Sequence, residues 1–331
     1  ADEQRTMLRE TRNKIRTHIR TGIKAKHKDL DPFFQTQGSY IIDTIIRPIN
    51  DDFDLDDGMY FLGSLKELQR PTTISLHEFV MAAIGNYANV KDKDTCIRVQ
   101  FEKEGFHLDV PIYYKENDNS PELAHRVKSW TPSDPVEFIA WFEEKMNSGF
   151  QKSFIYEQKN TKVFNQYREW LTDIRKKDFQ LRKIVRYLKA WGNYKSNEKN
   201  EMPPGIILTI LAAENYCMDD RDDVALRDTL ISITGYLERN KFKCPRPTTP
   251  EGEDLFSFQS DENKTFFKKA LDAFVLSANQ AIESENQKEA CYKWQEHLGG
   301  RFPCQFAKDE IEGAKRHTIA PVIGKDSAKS A

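Results

Sequence analysis

The sequence predicts an α+β protein, with a mixed twisted sheet and its flanking helices in the first half and a helical second half. Three observations carry this. Segments of strand-like alternation, Phe53 to Leu62 among them, all fall before Pro135. Beyond Pro135, stretches such as FQLRKIVRYLKAWGNY and KTFFKKALDAFVLSANQAIES repeat apolar residues at helical spacing. A length of 331 residues suits one large domain or two ordinary ones. The expected organisation is a sheet-bearing core over 1–155, a helical domain over 156–306 and a flexible tail over 307–331.

The elements follow in order. From about Gln4 to Lys28 the chain reads as one long amphipathic helix. Leu8, Ile15, Ile19 and Ile23 share one face, and Arg12, Arg16, Arg20, Lys24 and Lys28 step by four along another. That basic stripe is either a solvated face or a surface near a phosphate-bearing substrate. Asp31-Pro32 ends the helix. Ser39 to Ile46 opens as a small-residue turn and becomes apolar. A helix is expected over Ser75 to Ala88, with Ser75 as N-cap and Leu76, Phe79, Val80, Ala83 and Ile84 as its buried face. Thr95 to Phe101 and His107 to Tyr114 read as two strands turned at Glu104-Gly105. Residues 242–261, rich in Pro, Thr and Glu, read as a loop.

Composition narrows the function classes. Hydrophobic residues are 38% and charged residues 31%, while 21 Phe, 12 Tyr and 5 Trp suffice to anchor a core. A net charge of -2 argues against a global electrostatic grip on nucleic acid. No apolar run approaches the roughly 20 residues of a membrane span, and the N-terminus lacks the apolar core of a secretory leader. The five cysteines are scattered, with no CxxC, and no HExxH occurs. Neither a disulfide framework nor a zinc module is expected, and the chain reads as a reduced, cytoplasmic protein with no membrane partner.

One stretch carries most of the chemistry. QGSYIIDTIIRPINDDFDLDDGMYF packs Asp51, Asp52, Asp54, Asp56 and Asp57 into seven positions. On a strand, Asp52, Asp54 and Asp56 share a face, while Phe53 and Leu55 take the other. Repelling acids need a cation or full solvation. Mg²⁺ takes oxygen ligands from a few carboxylates plus substrate phosphates. Asp109, among apolar residues of a later strand, is a third acid that needs a partner. Either Arg98 of the neighbouring strand pairs with it or it joins a metal site with the earlier acids. Gly38 and Ser39 supply a turn at which backbone amides and a hydroxyl can meet a phosphate.

The pattern GSY…DFDLDDG…LDVPIYY resembles the DNA polymerase β-like nucleotidyltransferases. Within them it resembles the bacterial cGAS/DncV-like branch (CD-NTases), whose members make cyclic oligonucleotide messengers in anti-phage defence. SWTPSDPVEFIAWFEEKM, LRKIVRYLKAWG and KWQEHLGGRFP extend the resemblance over roughly Gln37 to Pro303. It implies a polymerase β-like core over 1–155, a helical nucleotide-binding domain over 156–306 and an active site in the cleft between them. It assigns Asp54, Asp56 and Asp109 as catalytic, metal-holding acids. Asp52 is their competitor should the register slip, and Asp57 is structural. It assigns Gln37, Gly38, Ser39 and Lys189 to nucleotide binding. Mg²⁺, with Mn²⁺ as the variant, is the implied cofactor, and nucleoside triphosphates are the partners.

No DNA requirement is implied, because no zinc-ligand cluster interrupts the second half. One departure stands out: relatives often open a helix with Pro-Ser where this chain has Pro204-Gly205, so that hydroxyl contact is missing. The end Ser327-Ala328-Lys329-Ser330-Ala331 is compatible with a conjugation or activating partner at the tail, and equally with a simple disordered end. The alternatives within and beyond this fold are an RNA-tailing or small-molecule nucleotidyltransferase, and a silent nucleotide-binding sensor.

Overall fold

The computed structural model describes residues 2–26, 31–48, 53–63, 70–102, 105–116, 120–156 and 160–309. Lys28, Asp52, Glu104 and all but the first residues of the 307–331 tail, its end included, lie outside them. Two compact units divide the chain. One comprises 1–43, 50–171 and 248–250, and the other 44–49, 172–247 and 251–331.

The first unit is built on a mixed sheet. Its elements are α1 (Asp2–Lys26), β1 (Phe33–Thr36), α2 (Gly38–Ile41), β2 (Phe53–Leu62), α3 (Thr73–Ile84), β3 (Asn89–Asp92), β4 (Ile97–Phe101), β5 (Phe106–Val110), β6 (Ile112–Lys115), β7 (Glu122–His125), β8 (Ser129–Pro132), α4 (Pro135–Glu144) and α5 (Ser153–Tyr156). β1 runs antiparallel along one edge of β2. β5 and β6 run parallel along the other. Asp56 lies opposite Asp109 and Met59 opposite Ile112, the same offset of 53 on both sides of Pro111. The strand expected over His107 to Tyr114 is therefore interrupted, because Pro111 has no amide hydrogen for the ladder. Its carbonyl still accepts from Met59 N at 2.9 Å. β4 and then β3 extend the sheet from β5, and β7 and then β8 from β6, all antiparallel.

The apolar face of α1 is as the periodicity requires: Leu8, Ile15, Ile19 and Ile23 are buried. α1 packs closely on α3, where a Cβ on Gly22 would stand 2.6 Å from Ala83 Cα. The basic stripe is not a uniform solvated face. Arg16 forks onto the buried Asp57 of β2 at 2.7 and 2.5 Å, and Arg12 donates to Thr36 Oγ1 at 2.7 Å. Arg16 and Arg20 also lie over the Phe34 ring. Burial lowers the Arg12 pKa, and the neighbouring Arg16 adds to the effect.

α3 corrects the expected cap. Thr72 Oγ1 accepts from Ser75 N at 3.1 Å, so Thr72 is the N-cap and Ser75 sits within the first turn. The helix stops at Ile84, before Ala88, because Gly85 turns the chain with φ +58°. His77 of α3 is buried, facing Asp92 at 2.6 Å and the Ala124 carbonyl at 2.8 Å.

α6 (Thr161–Lys177) leads into the helical unit, which holds α7 (Gln180–Lys195), α8 (Gly205–Glu214), α9 (Asp222–Arg239), α10 (Asp261–Glu283) and α11 (Gln287–Leu298). Trp191 of α7 packs between Phe267 and Phe274 of α10. Lys183 pairs with Asp222 at 2.9 Å, both buried. Cys291 and Cys304 are joined by a disulfide with Cα atoms 5.6 Å apart. This corrects the expectation of a reduced chain: α11 and the turn after it bring together two thiols whose spacing signals nothing in sequence. No helix among the described residues is long and apolar enough to cross a membrane.

Candidate active site

Strand geometry assembles the site. The two-residue period of β2 sets Asp54 and Asp56 on one face. Parallel pairing places His107 opposite Asp54 and Asp109 opposite Asp56. Antiparallel β4 then sets Arg98 opposite Asp109. Facing positions share a side of the sheet, so these five side chains form one polar patch. One donor atom each from Asp54, His107 and Asp109 lies within 4.8 Å of the other two. His107 Nε2 is 3.3 Å from Asp54 Oδ1. His107 and Asp109 are buried, whereas Asp54 is exposed.

Asp109 does not stand alone. Arg98 grips it with Nε and Nη2 at 2.8 and 2.7 Å. That bond raises the pKa of the Arg98 guanidinium. The Cys96 thiol pKa is pushed up by burial and then by the Asp109 carboxylate. The arginine foreseen as one partner of Asp109 is therefore present, and Asp54 and His107 stand near the same carboxylate.

Asp56 is turned elsewhere. Its carboxylate lies against Gly38, where an added Cβ would meet Asp56 Oδ2 at 2.1 Å. Gly38 also has φ +63°. Both facts demand glycine at this position. Ser39, next in α2, is half-buried. Gln37 is committed inward: its backbone N donates to the Asp56 carbonyl at 3.0 Å, and its Nε2 donates to Tyr113 Oη at 3.1 Å. Its Oε1 accepts from Tyr60 Oη at 3.2 Å, with the two tyrosine rings stacked at 4.7 Å. Burial raises the Tyr113 pKa. Gly58 makes room for this amide, since a Cβ there would stand 2.5 Å from Gln37 Oε1. Gln37 thus holds the Gly38-Ser39 turn against β2.

Within the helical unit, Lys189 Nζ donates to the Thr44 carbonyl at 3.1 Å. The stem of Lys189 lies over Gly205, where a Cβ would be 2.9 Å from its Cε. The missing serine of Pro204-Gly205 therefore coincides with space the lysine uses. Arg301, in the closing GGRFP segment, donates to the carbonyls of Arg47 and Pro48 at 3.1 and 2.9 Å.

The sequence reading missed His107 as a site residue. The signal was available: it precedes Asp109 by two residues, and a strand puts such a pair on one face. The SDP segment that carried part of the resemblance proves structural. Asp134 caps α4 by accepting from Val136 N and Glu137 N, both at 3.0 Å.

Comparison with known proteins now bears on this geometry. Residues 32–113 match the family model described as "Cyclic GMP-AMP synthase DncV-like, nucleotidyltransferase domain". That stretch is a DncV-like nucleotidyltransferase domain. The DncV-like domain contains Gln37, Gly38, Ser39, Asp54, Asp56, His107 and Asp109, and ends before Lys189. A cyclic GMP-AMP synthase of Escherichia albertii is 26% identical over 97% of this chain and 67% of its own length. The cyclic GMP-AMP synthase of Vibrio cholerae is 33% identical, over 25% of this chain and 21% of its own. Among solved structures, Vibrio cholerae DncV with the linear intermediate 5′ pppA(3′,5′)pG has a TM-score of 0.69 at 19% identity, covering 91% of each chain. Its GTP-bound form has a TM-score of 0.70 at 20% identity, covering 91% of this chain and 90% of that one. These structures share the fold of this chain.

The donor set fits a metal ion. Two carboxylates and an imidazole, close enough to bind one ion and with Asp54 open to solvent, suit a divalent cation.

Proposed function

We propose that this nucleotidyltransferase joins nucleoside triphosphates into a cyclic dinucleotide messenger that serves anti-phage signalling, with Mg²⁺ or Mn²⁺ as cofactor. One observation carries the reading: Asp54, His107 and Asp109 converge on one sheet face, while Asp56 of the same face reaches the Gly38 turn. A bound divalent ion supplies charge neutralisation and activates the acceptor hydroxyl. Asp54, Asp56 and Asp109 hold it. Gly38 and Ser39 receive the donor triphosphate through backbone amides and a hydroxyl, and Gln37 positions that turn. Lys189 is the triphosphate contact proposed from the helical unit. Positioning and electrostatics account for the rate, because phosphoryl-type transfer leaves the protein little covalent chemistry. The printed names of the relatives, cyclic GMP-AMP synthases, favour ATP and GTP as the pair joined.

The test is direct. The full chain is incubated with all four nucleoside triphosphates and divalent metal, and products are identified by mass spectrometry. A cyclic dinucleotide lost in Asp54→Ala and Asp56→Ala supports the reading. Linear tails on added RNA, or pyrophosphate release unaffected by both variants, would sink it.

A further inference from the structure

The centre proposed above rests on carboxylates, and the structure adds an imidazole. His107 comes from β5, in register with Asp54 and on the face of Asp109. It is buried, with Nε2 3.3 Å from Asp54 Oδ1. Bonds of about 2.0–2.2 Å to a first-row ion place ligand atoms roughly 3 to 4.4 Å from one another, depending on whether they are adjacent or opposed. The His107–Asp54 distance falls in that range, and no two of the donor atoms of Asp54, His107 and Asp109 are more than 4.8 Å apart, so small side-chain adjustments close the set on one ion.

A second observation bears on the same centre. Arg98 occupies both oxygens of Asp109 in a fork. A carboxylate offers about four lone-pair directions, so Asp109 keeps only part of its capacity for an ion. The guanidinium charge beside it also weakens a purely electrostatic oxygen site. Mg²⁺ depends on hard oxygen ligands, whereas first-row transition ions gain from imidazole nitrogen.

We propose that His107 is a direct metal ligand, and that its nitrogen makes this centre prefer a first-row transition ion such as Mn²⁺ over Mg²⁺. The inference rests on the metal-dependent reading above and adds the ligand that sets ion choice. In the absence of nucleotide, the ion is held by Asp54, His107 and Asp109, while Asp56 lies against the Gly38 turn.

The experiment measures Mn²⁺ binding to the full chain without nucleotide by electron paramagnetic resonance, with Mg²⁺ as competitor. Wild type, His107→Gln and Asp109→Asn are compared, and thermal melting checks that each folds. The expected wild-type signal carries ¹⁴N spin-echo modulation from imidazole. His107→Gln removes that modulation and lowers Mn²⁺ affinity about tenfold or more, while Mg²⁺ affinity falls less than about threefold. Asp109→Asn, which keeps His107, also loses the ion, and this locates it. Bound Mn²⁺ with no nitrogen coupling in wild type overturns the proposal, and so do equal losses for the two ions in His107→Gln. Should His107→Gln fail to fold, wild-type coupling lost in Asp109→Asn decides the matter alone. Turnover is scored separately. Nitrogen-coupled Mn²⁺ with no nucleotide product overturns the synthase reading and leaves the ligand assignment standing.

Discussion

At the scale of single residues, the site depends on a glycine that no other residue can replace. Gly38 needs its positive φ and has Asp56 Oδ2 where a side chain would begin. Gly38→Ala must therefore displace either the turn or the Asp56 carboxylate, proposed above as catalytic. The expected outcome is a fall in kcat of about a hundredfold or more, since angstrom-scale misplacement costs that much. Steady-state kinetics alongside a melting curve checks it: activity should fall far more than stability. Gln37 makes the complementary case. Its amide bridges Tyr60 and Tyr113 rather than solvent. Gln37→Leu leaves two buried hydroxyls without that partner and should destabilise the fold by about 1–3 kcal/mol. Urea unfolding would show this. An unchanged midpoint would mean that the amide contributes no net stabilisation.

At the scale of elements, the strands place the acids and the helices hold the strands. Arg16 of α1 and Asp57 of β2 form a forked pair, with Thr36 of β1 donating to the same carboxylate at 2.9 Å. Asp57 follows Asp56 on β2, so this pair pins the strand one residue from the site. Arg16→Met strands a buried carboxylate and should cost about 3 kcal/mol, and adding Asp57→Asn should recover part of that loss. Denaturant titration of both variants separates the outcomes: no recovery in the double variant would assign the loss to packing. α4 shows a smaller device. Asp134 caps its first turn through two backbone amides, and burial raises its pKa. Asp134→Ala should lower stability by about 1 kcal/mol, visible as a drop of a few degrees at most in Tm.

At the scale of the whole molecule, pH acts through the core of the helical unit. His297 of α11 is buried against Phe274 and bonds Ser277 Oγ at 2.9 Å. Burial pulls its pKa down to about 4. The unfolded chain therefore binds a proton at pH values where the folded chain does not. Stability is full above the unfolded value near 6.5 and declines as pH falls toward about 4, where the loss levels off. The contribution is on the order of 2 kcal/mol after allowing for solvent screening. Denaturant midpoints measured from pH 8 to pH 4 should show this slope, and His297→Phe should flatten it. A slope unchanged in the variant would place the titrating group elsewhere.

Local chemistry in the sequence determined a good deal by itself. The recurrence of Leu8, Ile15, Ile19 and Ile23 at steps of seven and four specifies the buried face of α1, because helix geometry leaves no other. Alternation in Phe53 to Leu62 puts Asp54 and Asp56 on one face for the same kind of reason. The acids and the Gly-Ser turn were legible because their residue types are costly without a ligand. What only the tertiary structure decided depends on contacts distant in the chain. Pairing at an offset of 53 made His107 a neighbour of Asp54, and β4 gave Asp109 its arginine. The fold turned Gln37 into the core, drew Arg12 and Arg16 off the solvated face, and joined Cys291 to Cys304. Periodicity tells each residue which side it faces, but which groups meet across strands and helices is set by register and packing, and those belong to the folded chain.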